Sequence, residues 1–210
     1  CASSPSPVSS ATYSTACAVP AGHSPAVRLF TVNADSLSTL ATLRPFSASG
    51  TPTNSGSFGS SVAAANGIVV VGDPGATDGR GQLYVFVARP GKGTAEPVCT
   101  VPGVVPQGGL GYSVSISSAD EEGRADGDVG RVRNGGTALV VAGSPAANLA
   151  IVVRVNISAY DAGDEGSAVC QTISVVRQSS VAGQSTAPPL YGAGTAVTIG
   201  GGMLLFSSPF

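Results

Sequence analysis

Five carboxylates crowd one glycine-spaced stretch of the chain: Asp120, Glu121, Glu122, Asp126 and Asp128, within SSADEEGRADGDVGRVRNGG. Hard oxygen donors separated by glycine suit calcium, because glycine lets the backbone curl and turn its carbonyls toward the ion. Asp120, Asp126 and Asp128 are therefore candidate calcium ligands. Arg124, Arg131 and Arg133 are interleaved with them, and such cations equally fit a solvated loop, so both readings stay open. Four cysteines, Cys1, Cys17, Cys99 and Cys170, form an even set without a C-x-x-C pair, and His23 is the one histidine. These spacings do not assemble an ordinary zinc site; at least one structural disulfide is the expectation. Three pairings are open, with Cys1 and Cys17 the nearest two in sequence. Asn156-Ile157-Ser158 is an N-glycosylation acceptor triplet, which has meaning in a secreted protein.

Catalytic chemistry finds little support. A Ser/His/Asp hydrolase would need His23, which sits in a proline-flanked PAGHSP turn and reads as a surface loop residue. Asp73, Asp78, Asp161, Asp164 and Glu165 fall in glycine-rich turns and read as solvated turn acids rather than paired glycosidase carboxylates. Gly79-Arg80-Gly81 and Gly91-Lys92-Gly93 are too short for a phosphate loop and lack a helix to follow. Without Trp and with only 5 Tyr, sugar-stacking platforms are sparse. The expectation is a protein that binds and does not catalyse.

Composition bounds the rest. The chain has 210 residues, 42% of them hydrophobic and 10% charged, with a formal net charge of −2. That supplies a substantial core but no basic face for nucleic acid. No apolar run is long enough for a membrane-spanning helix. The first stretch, CASSPSPVSSATYSTACAVPAGHSP, is dense in Ser, Thr, Pro and Ala and suits an extended segment. Its Cys1-Ala-Ser-Ser also resembles the mature start of a bacterial lipoprotein.

Helical periodicity is nearly absent, and 29 Gly with 15 Pro interrupt the chain too often for long helices. Short β-branched or aromatic runs remain: Ile68 to Val71, Gln82 to Val87, Ala138 to Val141 and Ile151 to Val155. The fold class is all-β. The runs repeat in order. From Phe58, FGSSVAAANGIVVVGDPGATDGRGQLYVFVARP is followed by AEPVCTV; from Leu110, LGYSVSI, a polar insert and TALVVAGSPAANLAIVVRVN are followed by SAVCQTISVV. A third copy opens at Tyr191 with two strands, and a degenerate one precedes the first, which makes about three and a half four-strand units. The division is a Ser/Thr/Pro-rich start with a degenerate unit over 1–48, a unit over 49–103, a unit over 104–176 with an acidic insert over 117–137, and a partial unit over 177–210. In each unit a large side chain followed by Gly packs between sheets while the backbone behind it approaches closely: Phe58-Gly59, Leu110-Gly111 and Tyr191-Gly192 are these anchors. Gly72-Asp73-Pro74 and Gly143-Ser144-Pro145 end a buried strand in a rigid turn. Four-stranded units of this length, arranged radially, are propeller blades.

These residues resemble the FG-GAP repeat, the blade of the integrin α-chain β-propeller and of many extracellular relatives. The match is close for Phe58-Gly59 with Ser61-Val62, Val69 to Pro74 and Gly81 to Phe86, and looser for Leu110-Gly111 with Gly143-Ser144-Pro145 and for Tyr191-Gly192 with Ser207-Ser208-Pro209. The resemblance implies an extracellular or cell-surface array of blades used for adhesion or recognition of a protein or glycan, with calcium as the implied ion. Two departures stand out. Gly111 to Gly143 is 19 residues longer than Gly59 to Gly72, and Thr137 stands where the family's calcium loop would place a last Asp. The chain also has about half the length of the family's seven-bladed closed propellers. It therefore reads as an incomplete propeller: a segment of a longer one, or a filament or coat subunit whose incomplete blades are completed by other copies of itself.

Overall fold

The computed structural model describes residues 12–15, 25–33, 36–45, 57–65, 67–87, 94–118, 137–157, 168–177, 194–200 and 203–207. Within them the chain is built almost wholly of strands, in three four-stranded sheets and one two-stranded sheet. The first sheet contains β1 (Thr12–Thr15), β2 (Val27–Asn33), β3 (Ser36–Leu43) and β7 (Thr94–Ala95), in that order. The second contains β4 (Ser61–Ala65), β5 (Ile68–Asp73), β6 (Gln82–Val87) and β8 (Cys99–Pro102). The third runs β9 (Ser113–Ser118), β10 (Thr137–Ser144), β11 (Leu149–Ile157) and β12 (Ala168–Arg177), and the fourth pairs β13 (Val197–Gly200) with β14 (Met203–Phe206). All pairings are antiparallel except the short β3 to β7 contact, which is parallel.

Strand formation follows from side-chain chemistry. β5 is Ile-Val-Val-Val-Gly-Asp and is buried at every position, as a strand covered on both faces must be. Its alternate residues go to opposite neighbours. Val69 and Val71, with Tyr84 and Phe86 from β6, pack on Val27, Leu29, Ala41 and Leu43 of the first sheet, around Phe58. Ile68 and Val70, with Leu83, Val85 and Val87, pack on Val140, Ile151 and Val153 of the third sheet, around Leu110. The third sheet repeats the scheme: Val141, Ala150 and Val152 turn toward Val197, Ile199 and Leu204 of the fourth. The sheets are therefore stacked face to face, with β4 lying against β9 and β9 against β13.

One recurrent contact sets this spacing. Gly59, Gly111 and Gly194 have φ of +91°, +90° and +90°, and each N–H donates to the carbonyl at the far end of the second strand of its own unit: Gly72, Gly143 and Ser207, at 2.9 to 3.0 Å. The carbonyl of Gly111 accepts the Ser61 hydroxyl at 2.7 Å, and that of Gly194 accepts the Ser113 hydroxyl at 2.7 Å. A Cβ on Gly72 or Gly143 would overlap the carbonyl of the following unit's anchor. Glycine at these positions is what permits two sheets to approach this closely. Each serine and glycine pair forms a clasp between successive sheets.

Candidate functional site

The loops at the anchor end of the stack hold the side chains best placed for recognition. Pro74 ends β5, since it cannot continue the ladder, and the chain turns through Ala76–Gly79 before β6. Thr77 (φ +53°) and Asp78 (φ +57°) are successive left-handed residues, followed by Gly79 at +80° and Gly81 at +83°. A β-branched residue there carries a cost of about 1–2 kcal/mol, so the surroundings must over-determine it. They do so by hydrogen bonds. Arg80 N–H donates to Thr77 O at 3.2 Å and Gly81 N–H to Ala76 O at 2.9 Å. The segment before Leu110 then clamps the turn from outside. Gly109 N–H donates to Gly79 O at 2.9 Å, Leu110 N–H to Arg80 O at 3.0 Å, Gly103 N–H to Gly81 O at 2.8 Å, and Gln107 Nε2 to Asp78 O at 2.6 Å. Arg80 returns one guanidinium bond to Val104 O at 3.3 Å.

The outcome is a braced rim on which the side chains of Thr77, Asp78, Arg80 and Gln107 are exposed. Two apolar side chains stand among the exposed residues of the same connecting segment: Val104, 65% exposed, and Tyr112, 51% exposed. A carboxylate, a guanidinium, a hydroxyl, an amide, an aromatic ring and a valine on a rigid frame can hydrogen-bond, ion-pair and cover apolar surface at once.

Asp73 corrects one expectation. It is not a solvated turn acid but fully buried at the end of β5. Its Oδ1 accepts the Ser57 hydroxyl at 2.9 Å, and the Ser57 oxygen in turn accepts Gly75 N–H at 2.8 Å. Ser144, at the same place in the next unit, is also buried and donates to Gly108 O at 2.6 Å. Both side chains tie the turn after the second strand to the segment just before their own unit's anchor. The one acid of the turn open to solvent in a comparable position is Asp78.

The anchors Phe58 and Leu110 are buried between sheets, and Gly59 and Gly111 have the left-handed backbone described above. Tyr191 and Gly192 lie outside the described residues; the anchor conformation of the last unit belongs to Gly194, two residues further on. Ala193-Gly194-Thr195-Ala196-Val197 follows the spacing of Leu110-Gly111-Tyr112-Ser113-Val114, a small-residue version of the signal that an aromatic-first reading passes over.

Cys99 of β8 and Cys170 of β12 form a disulfide that joins the outermost strands of the second and third sheets. Cys1 and Cys17 lie outside the described residues, as do His23 and the insert with Asp120, Asp126 and Asp128. The insert leaves from the end of β9 at Ser118 and returns at Thr137. Among the described residues, no group of three or more His, Cys, Asp or Glu gathers as a metal site. Asn156 is exposed near the end of β11, where its Oδ1 accepts the Thr137 hydroxyl at 3.2 Å. No helix among the described residues is long and apolar enough to cross a membrane.

Neither a protein-family model nor a curated protein sequence matches the chain.

Proposed function

We propose that the chain is a β-propeller segment of FG-GAP type, outside the cell or on its surface, that recognises a protein or glycan through the braced rim and is not an enzyme. The observation that carries this reading is the turn around Thr77 and Asp78. Backbone strain held in place by hydrogen bonds from a neighbouring segment is costly, and its return is a set of exposed side chains kept in fixed positions. The stacking of four-stranded antiparallel sheets through a repeated clasp supports the blade assignment, and the Cys99–Cys170 disulfide suits an oxidising compartment. For the acidic insert both readings stand, a solvated loop or a calcium loop with Asp120, Asp126 and Asp128 as its donors.

The test is binding of the intact protein to an array of extracellular-matrix proteins and glycans, alongside Asp78→Asn, Arg80→Gln and Tyr112→Ala. The reading expects at least one binder that the parent retains and these variants lose together. A binding profile left unchanged by all three substitutions would remove the rim from consideration.

A further inference from the structure

The third sheet outruns its neighbours at the end away from the rim. With the anchor bonds as common origin, Leu139 of β10 and its partner Arg154 of β11 hold the places of Ile68 and Val87 in the second sheet, and Met203 holds the place of Leu139 in the fourth. β5 begins at Ile68 and β14 at Met203, whereas β10 begins earlier, at Thr137, and β11 runs on to Ile157. One further cross-strand pair, Thr137 with Asn156, therefore lies past the level at which β14 starts. The chemistry changes at the same level. Val87 is buried against the third sheet, while Arg154, in the equivalent place, is exposed.

Asn156 occupies this overhang on a fixed backbone. Along the face of β11 turned to the fourth sheet, Ala150 and Val152 are buried, and the next two residues of that face, Arg154 and Asn156, are exposed. Val153 and Val155, on the opposite face, are fully buried and hold the strand in place. The Thr137 hydroxyl donates to Asn156 Oδ1 at 3.2 Å, so the side-chain amide is held by its oxygen and not by its nitrogen. Arg154 and Gln171, cross-strand partners on the same face and both exposed, make the surroundings hydrated. This is the Asn of the Asn156-Ile157-Ser158 triplet, and no other Asn of the chain has Ser or Thr two positions on.

We infer that Asn156 carries an N-linked glycan at the end of the stack opposite the rim. The donor class is a glycan joined through its C1 to a polyprenyl diphosphate. In the transfer the bond from C1 to the diphosphate oxygen breaks, a bond from C1 to Asn156 Nδ2 forms, polyprenyl diphosphate leaves, and one amide proton is given up to a base. The inference rests on the extracellular part of the function proposed above, since this modification belongs to exported chains. Its position follows from the strand. β11 starts at Leu149, at the anchor end, and Asn156 lies about 23 Å along it at roughly 3.3 Å per residue. A bulky, hydrated substituent there stands past the level where β14 begins and clear of Thr77, Asp78 and Arg80.

The experiment is release of N-linked glycans from the natural polypeptide by a glycopeptide amidase in heavy-oxygen water, followed by peptide mass spectrometry. Asn156 should return as Asp bearing the heavy oxygen. Secreted from a eukaryotic host, the parent should lose mass on amidase treatment, and Asn156→Gln and Ser158→Ala should each abolish that loss; Ser158→Ala leaves the Thr137 bond intact and decides if Asn156→Gln misfolds. An unmodified Asn156 peptide from natural polypeptide in which Cys99 and Cys170 are joined overturns the inference and spares the extracellular reading. The same peptide beside free Cys99 and Cys170 thiols overturns both. An amidase-sensitive mass that persists in both variants also overturns the inference, since the glycan then lies elsewhere.

Discussion

The junction between the first and second sheets and the junction between the second and third solve the same packing problem with different chemistry. The first is filled by rings. Phe58 meets Tyr84 edge-on at 5.2 Å between centroids and Phe86 at 6.2 Å, and the anchor Gly59 faces the Val27 side chain. The second is aliphatic and closer at the anchor, where Gly72 and Gly111 pass backbone to backbone, Ser61 bonds across, and a disulfide joins the outer strands. Large rings tolerate small shifts of a neighbour, whereas a glycine contact tolerates none. The second junction should therefore be the brittle one.

Gly72→Ala gives the largest effect on that view, because the added methyl must displace the Gly111 carbonyl or the strand; a loss of about 5 kcal/mol, enough to prevent folding, is expected in urea titration. A variant that folds with near-parent stability would show that the second junction can open as the first can. Phe58→Ala should cost about 4 kcal/mol by emptying the aromatic cluster. Amide exchange should then accelerate in β2 and β6 more than in β10; uniform acceleration would mean the two junctions are not separable. Replacing Cys99 and Cys170 together by Ser should cost about 3 kcal/mol, seen as a fall in Tm, since the disulfide closes a long loop of the unfolded chain. Ser61→Ala should cost about 1 kcal/mol, the value of a half-buried hydrogen bond, and Ser113→Ala about the same; unequal losses would show the two clasps to differ. The smallest effect concerns the insert, outside both junctions. Calcium at a few-fold excess over its Kd should raise stability by about 1 kcal/mol in thermal melts, and Asp126→Asn with Asp128→Asn should abolish the rise.

Much of the fold was legible because its signals are local. Runs such as Ile68 to Val71, ended by Gly and Pro, have no other stable use than a strand buried on both faces, and the phrase repeats with its turn chemistry intact. What escaped the sequence depends on distance. Nothing around Asp73 announces that Ser57, which lies before the anchor of the same unit, will cover it. Four cysteines gave a pairing problem, and only the placing of β8 beside β12 brings Cys99 to Cys170. The last anchor was obscured by its chemistry: Ala193-Gly194 lacks the large side chain that marks Phe58-Gly59, although the left-handed glycine does the same work. The rim is only partly signalled in the sequence: Asp78-Gly79 is a turn dipeptide that tolerates positive φ, but Thr77 is not, and the bonds that hold it come from the segment between β8 and β9.

The disulfide also determines how the chain would carry tension. Cys99 and Cys170 are 71 positions apart in sequence but adjacent in space, so a pull between the ends passes through the bond and bypasses β9, β10 and β11. That length of chain, about 240 Å when extended at roughly 3.4 Å per residue, stays out of reach of the force until the bond is reduced. Under load β9, β10 and β11 are a reserve that redox chemistry releases, while the first sheet, the ladder from β4 to β6, β12 and the fourth sheet lie on the loaded path.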